Sequence, residues 1–183
     1  LSVKGVLQEL KAAGQWSIPG GGAEILSDRV RRRIGPKKGG VERWLEVHRA
    51  AHEIGMRSTV TMMYGHYDEP EDRLEHLDLV RELQDQSLSQ GEKGFTAFVP
   101  WSYKRDNSAL ANKVKHNAGA SAYLRMLAAA RLYLDNFDHI QATWFSEGKR
   151  AGQAALHYGA DDFGGTLFEE NVHKATGHLV STT

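Results

Sequence analysis

His66 closes the run Thr61-Met62-Met63-Tyr64-Gly65-His66, which makes it the first candidate for proton chemistry. An imidazole titrates near neutral pH, and the preceding glycine lets the ring turn off an apolar, β-branched run into a cleft. Glu24 stands two residues beyond Gly20-Gly21-Gly22. A carboxylate there can grip a ribose hydroxyl or an ammonium, or simply favour a helix N-terminus through its dipole. The glycine run is neither G-x-G-x-x-G nor a P-loop, since no Lys-Ser/Thr follows. Arg29, Arg31, Arg32, Arg33, Lys37 and Lys38 concentrate positive charge, as a solvated basic face or as an anion pocket. Trp101 and Trp144 offer an aromatic wall for a flat ligand, or ordinary packing. Of the adjacent Asp161 and Asp162, one is expected to cap a turn while the other accepts hydrogen bonds from a ligand. His48 and His52 have i, i+4 metal-ligand spacing but lack the glutamate of H-E-x-x-H. Trp44 and Ala51 mark a packed face around them, so packing or surface histidines are expected.

These side chains need strands to place them. Apolar spacing predicts helices over 3–13, with Val3, Val6, Leu7 and Leu10 on one face and Gly14 as the stop, and over 28–34, 41–54 and 69–86. In the last of these Leu74, Leu77, Val80 and Leu83 form the expected buried stripe. Further helices are predicted over 120–133, 148–157 and 169–176, the last capped near Gly177. Strands are predicted over 16–18, 56–63, 95–99 and 140–144, with 161–166 a strand or its end. Residues 87–93 read as a surface loop and 103–119 as a long polar connection. About five strands, each followed by a helix, define a parallel α/β architecture, as an open doubly wound sheet or a slice of a (β/α)8 barrel. In either form chemistry gathers at the carboxyl ends of the strands. No linker divides the 183 residues, so a single domain over 1–183 is expected.

Composition narrows the partners. Lys+Arg and Asp+Glu both number 23, so the net charge is zero and gives no general attraction to nucleic acid or an anionic membrane. No apolar run approaches the ~18 residues of a membrane span, and the start does not read as a signal peptide. The chain has no cysteine, which excludes disulfides, thiolate zinc and a cluster held by its own thiolates. A cytoplasmic setting is expected.

An ordered set of segments then becomes recognisable: Pro19-Gly20-Gly21-Gly22-Ala23-Glu24-Ile25-Leu26, Asp28-Arg29-Val30-Arg31, Pro36-Lys37-Lys38, Ala51-His52, Thr61 to His66, Arg81-Glu82-Leu83-Gln84, Gly94-Phe95 with Phe98-Val99-Pro100-Trp101, Leu134-Asp135-Asn136, Gln141-Ala142-Thr143-Trp144 and Gly159 to Gly164. Together they resemble the radical S-adenosylmethionine enzymes of the futalosine route to menaquinone, over nearly the whole chain. Trp101 and the 141–144 segment resemble the member that cyclises dehypoxanthine futalosine. The siblings are aminofutalosine synthase and the deazaflavin FO synthase subunits. Asp68 stands where the group usually has Glu.

The resemblance implies the carboxyl-terminal part, about strands four to eight, of a TIM-like barrel whose first strand leads into a C-x-x-x-C-x-x-C loop. Those cysteines would hold a [4Fe–4S] cluster that cleaves S-adenosylmethionine; this chain has none, so it alone is expected to be inactive. The complete enzyme would abstract hydrogen from the ribose 4′ carbon of a small nucleoside and close a ring onto its benzoate. By analogy Glu24 would hold S-adenosylmethionine, and Lys38, or its neighbours Arg31 and Lys37, would pair with a carboxylate. Tyr64, His66, Trp101, Thr143 and Asp162 would line the substrate cavity, with His66 as proton acceptor. No metal ligand is assigned to this chain. A missing amino-terminal half-barrel, or a second copy, would cover the open strand edges. The alternatives are a non-catalytic half-barrel assembly module and a cofactor-free isomerase using His66 and Glu24. The enzymatic reading requires Glu24, His66, Trp101 and Thr143 to share one rim.

Overall fold

The computed structural model describes residues 1–108, 110–114, 118–165, 171 and 175. Helix α1 (Val3–Ala12) starts where the Ser2 hydroxyl accepts the Gly5 N–H, and it leads past Gly14 to strand β1 (Ser17–Ile18). Two helices follow, α2 (Asp28–Ile34) and α3 (Val41–Glu53), before β2 (Arg57–Tyr64). Then come α4 (Pro70–Ser89), β3 (Phe95–Ser102), α5 (Ala120–Tyr133) and β4 (His139–Ile140), and finally α6 (Trp144–Glu147) and α7 (Lys149–Ala155). Pro70 at the start of α4 is preceded by Glu69, whose side chain and that of Asp72 cap each other's backbone amides.

All paired strands are parallel, in the order β1-β2-β3-β4. A doubly wound sheet reverses its strand order at a switch point; this sequential order is instead the arc of a barrel. Beyond β4 an isolated parallel bridge joins Gln141 to Asp162. The described chain therefore has four strands and a bridge, fewer than the expected five strands.

Period-two alternation divides β2. Val60, Met62 and Tyr64 join Phe98, Ile140 and residues of α4 and α5 such as Leu77, Val80, Tyr123 and Leu127 in the main core. Met63 faces the other way, into a smaller cluster with Tyr103 and Val114, packed by Ile34, Trp101 and Leu110. Ser58 pairs with Phe95 and Thr59 with Ala97, so Thr96 is an extra residue. That bulge restores the register in which Met63 meets Trp101.

Several expected boundaries move. The α4 helix runs three residues past the expected end, into the presumed loop. Leu74 is 50% exposed, and the buried face of α4 instead includes Asp72, His76, Gln84 and Ser87. These polar groups belong inside because they hydrogen-bond the structure: Gln84, for one, accepts the Phe95 N–H at 2.7 Å and donates to the Phe95 carbonyl at 3.1 Å. Val6 and Leu10 are exposed while Leu7 is buried. Trp144 opens α6 rather than ending a strand, and stacks on Phe163. His48 and His52 are buried, as packing histidines. His48 Nδ1 lies 3.0 Å and His52 Nε2 2.7 Å from Ser58 Oγ, and His52 Nδ1 lies 2.7 Å from Ser87 Oγ. Burial pushes them down to about 3 and about 4, so both are neutral. The expected helix over 169–176 lies outside the described residues, apart from Asn171 and Ala175.

Candidate functional site at the carboxyl ends of the strands

Beyond β1 the chain lies directly on β2. The Gly20 N–H donates to Thr59 Oγ1 at 2.9 Å, and Thr61 Oγ1 donates to the Gly20 carbonyl at 3.0 Å. A Cβ at Gly20 would sit 2.2 Å from the Thr59 carbonyl oxygen, whereas one at Gly21 or Gly22 meets nothing within 4 Å. Gly22 has φ +83°, and Glu24 follows with φ +48°, in the left-handed region that side chains other than glycine avoid. The Glu24 carbonyl is held by the Met63 N–H at 2.6 Å. Its carboxylate stands at the rim in an ion pair with Lys38, the Lys38 side chain 43% exposed.

Arg31 is only 5% exposed and spends its donors on backbone. Nη1 donates to the Gly22 and Ala23 carbonyls at 2.9 and 2.6 Å, while Nε and Nη2 donate to the Gly39 carbonyl at 3.1 and 2.8 Å. Its expected availability to a ligand carboxylate is corrected: the guanidinium staples the glycine loop to the segment before α3. Of the remaining basic cluster, Arg29 pairs with Asp72.

The geometry also corrects the premise for His66. Both ring nitrogens are engaged: Nδ1 accepts the Tyr67 N–H at 2.7 Å and Nε2 donates to the Met63 carbonyl at 3.0 Å. Burial lowers its pKa, outweighing Asp68, whose Oδ1 is 3.1 Å from Nδ1. The same Oδ1 accepts the Gly65 and His66 N–H groups at 2.8 Å, and Oδ2 accepts from Arg73 at 2.5 Å. His66 and Asp68 thus shape the turn after β2, and the shorter carboxylate at 68 reaches its partners.

Tyr64 is turned away from the rim. It is 1% exposed in the main core, and its hydroxyl has no partner among the described residues. Burial raises its pKa. Thr143 is buried, its hydroxyl donating to the Pro100 carbonyl at 2.8 Å and its N–H to Tyr123 Oη at 2.8 Å. It joins the ends of β3 and β4. Trp101 is half-buried against Met63 and Tyr103. Asp162 accepts the Gly164 N–H at 2.7 Å, while Asp161 accepts from Ile140 N–H and Arg131. Of the four residues required to share one rim, Glu24 and Trp101 are linked through Met63, by the Glu24–Met63 hydrogen bond and the Met63–Trp101 register pair, and Thr143 hydrogen-bonds the neighbouring Pro100, whereas His66 is folded into its own turn.

Two features of this rim escaped the sequence reading. Lys104, with a side chain 10% exposed, donates to Ser102 Oγ at 2.7 Å and to Glu147 at 3.0 Å. Glu147 also accepts the Ser102 N–H and hydroxyl at 2.8 Å, clipping β3 to α6. The second is His76, beneath the Glu24 loop. A strand-end lysine was the only signal for the first; nothing in the local pattern marked the second.

A sequential parallel arc with candidate ligand groups at its strand ends is part of a (β/α) barrel, and the Radical SAM superfamily model matches residues 1–80. Residues 92–183 match the CofH/MqnC C-terminal region, and the chain belongs to that family of radical S-adenosylmethionine enzymes. It is 44% identical over 177 residues to a cyclic dehypoxanthine futalosine synthase from Streptomyces coelicolor, covering 97% of this chain and 43% of that protein. It is 45% identical to a 5-amino-6-(D-ribitylamino)uracil–L-tyrosine 4-hydroxyphenyl transferase from Methanoculleus marisnigri, and 42% to an aminodeoxyfutalosine synthase from Thermus thermophilus, each covering 97% of this chain and 47% of that protein. The chain spans less than half the length of these relatives.

The family implies S-adenosylmethionine and a [4Fe–4S] cluster. The rim fits the first: the Gly21-Gly22 backbone is open to a ligand, and Glu24 offers a carboxylate to hydroxyls or an ammonium. It does not fit the second, because the chain contains no cysteine. The thiolate ligands belong outside these 183 residues. No helix among the described residues is long and apolar enough to cross a membrane.

Proposed function

We propose that this chain is the substrate-side part of a cytoplasmic radical S-adenosylmethionine enzyme of menaquinone synthesis that cyclises dehypoxanthine futalosine. The observation that supports the reading is that Glu24, ion-paired with Lys38, is hydrogen-bonded through its carbonyl to Met63, whose side chain packs with half-buried Trp101 and buried Tyr103 in one apolar cluster. Bound S-adenosylmethionine supplies the radical that opens the reaction. Glu24 orients it through its ribose or amino group, and Lys38, or its neighbour Lys37, pairs with a ligand carboxylate, Lys38 doing so when its ion pair with Glu24 opens. Half-buried Trp101 is the aromatic group that holds a flat ring, and the apolar cluster behind it excludes water. Asp162 accepts hydrogen bonds at the far end of the rim. Arg31, Tyr64 and His66 hold the frame from beneath and Thr143 ties the end of β3, so proton acceptance falls to a group other than His66. An amino-terminal half-barrel bearing the cluster is the partner that completes the site.

A second reading, attachment of a tyrosine-derived hydroxyphenyl group to a ribitylaminouracil, is favoured by the 45% identity to the transferase. The complete enzyme, reconstituted with iron and sulfide, separates the two. Conversion of dehypoxanthine futalosine supports the first, and product from tyrosine with 5-amino-6-(D-ribitylamino)uracil the second. Turnover of neither overturns both. The 183-residue chain alone is expected to show no cluster absorbance and no cleavage of S-adenosylmethionine.

A further inference from the structure

We infer that His76, on the buried face of α4, is a positioning residue that holds Glu24 in its ligand-facing conformation. This rests on the reading of Glu24 as the carboxylate that binds S-adenosylmethionine. Glu24 is one of only two described non-glycine residues with positive φ, at +48°. Left alone, a side chain in that region is strained and relaxes toward ordinary backbone angles. Hydrogen bonds before and after the residue oppose the relaxation. On its amino side Arg31 Nη1 holds the Ala23 carbonyl at 2.6 Å. On its carboxyl side the Met63 N–H holds the Glu24 carbonyl at 2.6 Å, and two residues further on the Leu26 N–H donates to His76 Nδ1 at 3.0 Å.

The tautomer follows from that bond. An amide can only donate, so Nδ1 is the acceptor and the ring proton sits on Nε2. His76 is completely buried, and burial pushes its pKa down to about 3, which keeps Nδ1 unprotonated. Nε2 has no hydrogen-bond partner among the described residues. Its nearest aromatic neighbour is Phe98, at 6.0 Å between ring centroids. A buried N–H without a partner is a cost, and a purely packing position would be filled by leucine. What the ring contributes here is the single acceptor at Nδ1. The next turn toward the start of α4 reinforces the anchor, because Asp72 accepts from the Ser27 hydroxyl at 2.7 Å and pairs with Arg29.

The test compares two variants of similar size and polarity. Asparagine places its Oδ1 where Nδ1 stands, whereas glutamine carries its polar end to the Nε2 position. Binding of S-adenosylmethionine to the complete, cluster-loaded enzyme is measured by calorimetry for wild type, His76→Asn, His76→Gln and Glu24→Gln, with a thermal melt of each. The expected result is weakening of tenfold or more for His76→Gln and Glu24→Gln, and retention within about threefold for His76→Asn, at comparable melting temperatures. If Glu24→Gln weakens binding while His76→Gln does not, or His76→Asn fails to rescue, the positioning role is overturned and the reading of Glu24 stands. If Glu24→Gln binds as wild type, the reading of Glu24 falls and the role of His76 falls with it.

Discussion

Three adjacent glycines are predicted to differ sharply in what they tolerate, although the sequence presents them as equals. Gly20→Ala would place a methyl 2.2 Å from the Thr59 carbonyl oxygen and 2.5 Å from the Val60 Cα. Both are backbone of a central strand, so neither can swing aside, and the loop must lift off β2. Lifting breaks the hydrogen bonds of Gly20 to Thr59 and Thr61, at about 1 kcal/mol each. Strain from overpacking adds about 1–3 kcal/mol. The sum is about 3–5 kcal/mol, which for a protein of this size lowers Tm by about 10 °C. Gly21→Ala meets no atom within 4 Å and no left-handed φ, and should lie within about 1 kcal/mol of wild type. Gly22→Ala also meets no atom, but at φ +83° it should cost about 1–2 kcal/mol. Urea denaturation of the three variants measures the order directly. Equal costs for Gly20→Ala and Gly21→Ala would refute the close approach on which the placement of Glu24 depends.

Stability should fall as the solution is acidified. His48 and His76 are pushed down to about 3 and His52 to about 4, all from 6.5, so the unfolded chain takes up protons that the folded chain refuses. Their stabilisation is complete above pH 6.5 and is lost as pH drops toward 4, each contributing a slope of about 1.4 kcal/mol per pH unit; urea midpoints at pH 7, 6 and 5 that do not move would contradict the burial of these rings. Lys104→Met should cost about 3–5 kcal/mol by leaving Glu147 buried without its cation, and adding Glu147→Gln should restore much of the loss, as a double-mutant cycle would show. Tyr64→Phe removes an unpartnered buried hydroxyl and should leave both melting temperature and turnover unchanged or slightly raised; a large loss of turnover would return Tyr64 to the substrate cavity.

The elements that read well from sequence are those whose pattern is local. The helix over 120–133 was legible to the residue, and β2 within one residue at each end, because apolar period and glycine stops act within a few residues of chain. Where the buried positions are polar, the pattern misleads: α4 hides Asp72, His76, Gln84 and Ser87 and exposes Leu74, since hydrogen bonds to distant backbone offset the cost of burial. The 140–144 segment read as a strand by its apolar residues. Its pairing is short and Thr143 turns the chain into α6, a choice made by Pro100 and Tyr123 from other elements.

The amino-acid order by itself determined the parallel α/β class, the family, and the lack of any thiolate for a cluster, because each of these is written in periodicity, residue type or ordered segments. Only the tertiary structure decided which strand-end residues face outward. Tyr64 and Met63 are neighbours on opposite faces of one strand, Arg31 and Lys38 are cations of one cluster with different partners, and His66 is closed by its own turn. Side-chain direction and hydrogen-bond partner depend on strand register and on the exact path of each turn, which bring together groups from one to fifty residues apart, and apolar periodicity encodes neither.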